Sequence, residues 1–147
     1  MAHTSLHKLI PCIILAFSAL ITPSIRAQVD AVATARYDEQ GQMVTLFGIY
    51  GTDNAKESKC SLFTLTGNIV SVEHDSKGQI TNFYIKPRRG KSQNVYLTGI
   101  TVDKRLPADE IKRLPSLIAR GKRVRLRYYG CGTTGAHNEA DGIDALN

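Results

Sequence analysis

Three arginines at alternate positions, Arg123, Arg125 and Arg127, are the most pointed chemical feature of the chain. In a β-strand, alternate residues share one face at a spacing of about 6.6 Å. Guanidinium groups so placed grip phosphates, sulfates or carboxylates through paired hydrogen bonds. The competing role, and the commoner one for such a ladder, is a solvated sheet face that resists edge pairing. A second basic group, Arg88, Arg89 and Lys91, occupies a turn between segments that carry Tyr84 and Tyr96. Rings beside cations suit stacked bases or sugars. An ordinary charged hairpin, its tyrosine hydroxyls in water, is the alternative. These eight residues form the candidate ligand-binding set.

Other polar groups carry less. His137, Glu139, Asp141 and Asp144 gather oxygen ligands near the end of the chain but lack a calcium-loop pattern. Glu73 and His74 are an acid–base pair in sequence, yet neighbours in a strand point to opposite faces. No phosphate-binding loop, dinucleotide fingerprint or paired-cysteine metal motif is present. No nucleophile can be matched with a base by motif. We therefore expect no catalytic residue, no metal and no cofactor.

The chain's first part bears on where these groups work. Met1 to Lys8 is polar, Leu9 to Ile21 is almost entirely apolar, and Thr22-Pro23-Ser24 precedes Ile25-Arg26-Ala27. That is the layout of a signal peptide with cleavage after Ala27. The apolar run is about 13 residues, short of the roughly 20 that span a bilayer; an uncleaved anchor is the alternative. Of the 147 residues, Gln28 to Asn147 would remain, and the formal charge of +6 becomes +4 once Lys8 and Arg26 leave. No second apolar span follows. A mildly basic exported protein points to anionic partners. Nucleic acid is seldom met outside the cytoplasm, so anionic glycans, lipid head groups or an acidic protein surface fit better. The mature chain keeps Cys60 and Cys131, and an even pair in an oxidising compartment reads as a disulfide.

Several elements must position these residues. Gln28 to Gln42 reads as a loose lead-in with a short helix at Val29 to Arg36, Met43 to Tyr50 as a strand, and Gly51 to Lys59 as a loop. Cys60 to Val72 is a long strand whose alternation changes phase at Gly67, which predicts a bulge or bend there. Asp75-Ser76-Lys77-Gly78 has the chemistry of a type I turn. Ile80 to Lys86 puts Phe83 and Ile85 on one face, Tyr84 and Lys86 on the other. Gln93 to Val102 reads as the next strand. Asp103 to Gly121 turns helical, with Pro107 and two acids at a helix start. Lys122 to Tyr129 is the clearest strand, with Val124, Leu126 and Tyr128 opposite the arginines. Thr133 to Gly142 reads as a polar loop and Ile143 to Leu146 as a last short strand.

From Cys60 onward this order resembles the OB-fold: a long bent strand, two meander strands, a helical connection, a strand and a short strand. The resemblance is one of topology, without a family motif. It implies a mainly β fold, a five- to six-stranded Greek-key barrel over residues 60–147, with a short helical segment between its third and fourth strands and one extra strand in the lead-in of residues 28–59. In that barrel the first and fourth strands pair antiparallel, which brings Cys60 near Cys131. Among exported OB-folds the layout is similar to the B subunits of bacterial pentameric toxins, although the helical segment here is shorter and proline-broken. The expectation is a secreted or periplasmic, non-catalytic module that binds an anionic ligand or partner surface. A subunit of an exported assembly (a toxin or a secretion system) and a small enzyme of unrecognised mechanism are the alternatives.

Overall fold

The computed structural model describes residues 33–97, 99–132 and 137–146; the proposed leader lies outside them. The described chain is mainly β. β1 (Thr34–Tyr37), β2 (Met43–Phe47), β3 (Ser61–His74), β4 (Ile80–Pro87), β5 (Gln93–Tyr96), β6 (Arg123–Cys131) and β7 (His137–Ala145) form one seven-stranded sheet. Short helices α1 (Thr52–Glu57), α2 (Gly99–Arg105), α3 (Ala108–Ile111) and α4 (Leu114–Leu117) complete it. The sheet order is β1-β2-β7-β5-β4-β3-β6, and β6 pairs again with β7. Five strands, β3-β4-β5-β7-β6, thus close into a ring, and the β1–β2 hairpin continues the sheet from β7. All pairings are antiparallel except β5 with β7, where Tyr96 meets Glu139 in parallel.

Alternation along the strands builds the core inside this ring. Ile69, Phe83, Ile85, Val95, Val124, Leu126 and Ile143 are buried. Leu114, Leu117 and Ile118 from the helical connection and Met43 and Leu46 from β2 join them in one cluster. Each such side chain contributes roughly 1.5–3 kcal/mol by leaving water. The β3–β4 turn has the expected chemistry. Asp75 Oδ1 accepts from the backbone N–H groups of Lys77 and Gln79, Gly78 N–H reaches Asp75 O at 3.0 Å, and Gly78 takes φ 78°.

The structure corrects several boundaries. Thr34–Tyr37 is strand, not the end of a helix over Val29 to Arg36; the earlier part of that predicted helix, with Val29, lies outside the described residues. Thr34–Tyr37 is half of a hairpin closed by Asp38, whose Oδ1 accepts from Gln40 and Gln42 N–H. The lead-in therefore supplies two strands. Gly51 to Lys59 is not a plain loop: Thr52, Asp53 and Asn54 begin α1. The third ring strand stops at Tyr96, and Thr101 and Val102 belong to α2. Val102 and Leu106 are both buried four residues apart, and Leu106 N–H donates to Val102 O at 2.9 Å, a helical spacing that the β-formers before it disguised. The helical connection is three short helices rather than one segment. Thr133 to Gly142 is not a loop throughout, because β7 already starts at His137. The register slip in β3 falls between Ile69 and Ser71, three residues past Gly67. Val70 is the extra residue and is exposed, which is why two apolar residues stand side by side there. Gly67 serves a different purpose: a Cβ would sit 2.5 Å from Lys86 O, so only glycine lets β4 approach.

A buried arginine ties the N-terminal segment down. Arg105, only 6% exposed, meets Asp53 of α1 with Nη2 at 2.6 and 2.8 Å from the two carboxylate oxygens. Its guanidinium lies against Gly51, where a Cβ would collide with it. Burial pushes the Asp53 carboxyl up, but its own backbone N–H, the Arg105 charge and the Asn54 N–H outweigh that and hold it below its ordinary value. A carboxyl depressed on folding contributes stability above its unfolded pKa and loses it as pH falls through the folded one. We expect the urea midpoint to fall below about pH 4. Asp53→Asn is expected to remove part of that acid dependence, and an unchanged pH profile in the variant would show the pair to be idle.

Candidate anion-binding groove

Cross-strand register decides which basic residues meet. Asn68 of β3 stands opposite Lys86 of β4 and Arg123 of β6. Directly paired residues share a face, so Lys86, Asn68 and Arg123 make one outward row across three strands. Thr66 stands two residues along β3 from Asn68, and Pro87-Arg88 leads off the end of β4. Together Thr66, Gly67, Asn68, Lys86, Pro87, Arg88 and Arg123 line a groove of about 650 Å³. Gly67 leaves its floor bare.

The groove's charge is of one sign. Lys86, Arg88 and Arg123 are all exposed, and no acid lines it. Lys86 Nζ donates to Gly90 O at 2.8 Å, which holds the ammonium beside the β4–β5 turn. Among the described residues, Arg88 and Arg123 pair with no carboxylate. Two free guanidinium groups, an ammonium and the Asn68 amide can together donate to an oxyanion.

The eight expected site residues separate. Arg88 and Arg123, one from each basic group, reach the same groove. Arg89 and Lys91 are exposed in the same turn but do not line it. Arg125 is exposed between Thr66 and Asp144. Arg127 is committed to the fold, with Nε and Nη2 on Asp141 Oδ2 at 3.0 and 2.6 Å. Tyr84 precedes Lys86 on the outer face of β4, outside the groove lining. Tyr96 is engaged elsewhere, its ring stacked on His137 at 4.4 Å. The acidic cluster disperses too. Glu139 pairs with His137 at 2.5 Å, Asp141 with Arg127, and Asp144 Oδ1 accepts from the Thr45 hydroxyl at 3.0 Å.

Reading the sequence missed Lys86, Asn68 and Thr66 as site residues. Lys86 was legible as an outward residue, but only the β3–β4 register places it beside Arg123. Comparison with protein-family models, curated proteins and solved structures found no match for this chain.

Proposed function

We propose that the mature chain is a secreted or periplasmic binding module, an OB-fold-like Greek-key barrel that holds an anionic ligand in the Lys86–Arg88–Arg123 groove and catalyses no reaction. Three cations from two strands and a turn, converging on one cavity without an acid, carry this reading. The five-strand ring, its parallel β5–β7 contact and the helices between β5 and β6 support the barrel. Export is supported by the Cys60–Cys131 disulfide. Among the described residues no helix is long and apolar enough to cross a membrane.

The ligand class follows from the donors. Arginine forks match the oxygens of sulfate, phosphate or carboxylate, and an exposed groove suits a group displayed on a larger molecule. Heparin, as a sulfated glycan, and vesicles containing phosphatidylglycerol are the two probes. The variant Lys86→Ala/Arg88→Ala/Arg123→Ala is expected to weaken binding of whichever probe is held by at least tenfold, since each charge-assisted bond is worth about 1.5–3 kcal/mol. Wild-type affinity should fall steeply with salt. Arg89→Ala/Lys91→Ala removes two charges outside the groove and should lose much less. Equal losses in both variants would mean a diffuse basic surface and no site.

A further inference from the structure

The ring is open at the far end of the β3–β6 ladder. β4 ends at Pro87, opposite Gly67, so the first residues of β3 have no β4 partner. Phe63 and Tyr128 are direct cross-strand partners there and lie on the inner face, in line with Leu65 and Leu126. Their rings stack at 5.5 Å with 25° between planes, yet Phe63 remains 48% exposed. Gly130 makes room for the ring: a Cβ would lie 2.9 Å from Phe63 Cε2. A large apolar face is therefore held in a fixed place and left in water.

Beside it stands a buried acceptor without a donor. Gln93 begins β5, and its buried Oε1 has no hydrogen-bond partner. A buried acceptor left unmet is rare in a folded protein and asks for an explanation. Asn138 Nδ2 donates to Asn94 O at 3.1 Å, and Asn138 Oδ1 lies 3.7 Å from where a Gly130 Cβ would stand. Phe63, Ser92, Gln93, Tyr128, Gly130 and Asn138 line a cleft of about 400 Å³. None of them carries a charge, in a chain whose formal charge is +6.

We propose that this cleft binds a neutral sugar residue. The apolar C–H face of the ring lies on Phe63, and its hydroxyls donate to Gln93 Oε1 and Asn138 Oδ1. A hydroxyl both donates and accepts, so it can also meet the Ser92 hydroxyl. The volume falls in the lower part of the roughly 300–1,000 Å³ range of small-ligand sites, enough for a single ring with its substituents. The absence of charge in the lining excludes the chemistry of the basic groove. The two sites share no residue, and this proposal does not rest on the anion reading.

Ligand-observed saturation-transfer NMR of the mature protein with methyl glycosides of neutral hexoses and N-acetylhexosamines tests it. Signal is expected on the C–H protons of one ring face for at least one glycoside, and it should survive high salt. Phe63→Ala and Gln93→Leu should each weaken binding by at least tenfold, while Lys86→Ala/Arg88→Ala/Arg123→Ala leaves it unchanged. Gln93→Leu should also raise the melting temperature, because it removes an acceptor that the fold does not satisfy. That readout keeps loss of binding distinct from misfolding. The proposal is overturned if no glycoside gives signal, if both cleft variants bind like wild type, or if Gln93→Leu lowers the melting temperature.

Discussion

Arg127→Ala is expected to cost about 3 kcal/mol of stability, whereas Arg123→Ala and Arg125→Ala should stay within about 0.5 kcal/mol. The three side chains belong to one ladder, and the difference comes from a bulge in β7. Arg127 pairs with Gly142 and Tyr128 with Ala140, so Asp141 is the residue without a partner in the ladder. Its carboxylate is 2% exposed. Oδ2 accepts both Arg127 bonds, and Oδ1 accepts Gly51 N–H at 2.9 Å. Asp141 O also accepts Ile49 N–H at 3.1 Å. One bulged acid thus fastens the segment between β2 and α1 to the ring. Truncating Arg127 leaves that carboxylate buried and without its cation, which costs about 3–5 kcal/mol in comparable sites. Arg127 is itself 41% exposed, so solvent screening puts the expected figure at the low end. Arg127→Lys should recover only part of it, since a single ammonium cannot reproduce the fork. Equilibrium unfolding in urea measures all four variants. If Arg127→Ala proves as stable as Arg123→Ala, the bulge is not held by this pair.

The same contrast shows what could be read from the chain before its structure. Period-two alternation identified β4 and β6, because Phe83 and Ile85, or Val124 and Leu126, bury on one face while charged residues leave by the other. It failed for β7, where Glu139 and Asp141 are buried beside Ala140 and Gly142. Their burial is offset by partners that include His137, Arg127 and Gly51, and those partners are remote in sequence or disguised as loop residues. α1 and the first part of α2 were missed for a related reason. A helix of six or seven residues has little propensity of its own, and here Arg105 joins the two through Asp53. The groove was half legible. Each basic group was visible, but that Arg88 meets Arg123 and not Arg125 or Arg127 depends on Gly67 lying opposite Pro87. Alternation gives a strand's faces and leaves its register open.

Removing the cross-link by Cys60→Ala/Cys131→Ala is expected to lower stability by about 4 kcal/mol, the largest loss foreseen for any change outside the core. The disulfide joins residues 71 apart in sequence, with Cα atoms at 4.3 Å. Cys60 immediately precedes β3, and Cys131 ends β6, one step beyond the Ser61–Gly130 pair. The folded state already holds these ends together through eight paired positions from Ser61 to Asn68. The covalent bond therefore adds little to the native geometry and acts on the unfolded chain, whose freedom it cuts by closing a loop that contains β3, β4, β5, the three helices that follow and β6. Two consequences separate this from a simple loss of contact. The variant's denatured state should be more expanded, so the urea m-value should rise as the midpoint falls. Adding reductant to the wild type should reproduce the variant's midpoint and m-value, while the variant itself should not respond. Binding at the Lys86–Arg88–Arg123 groove, at the opposite end of the β3–β6 ladder, should survive under conditions where the variant stays folded. A lower midpoint with an unchanged m-value would instead place the cost in the native state, at the ring's closing seam.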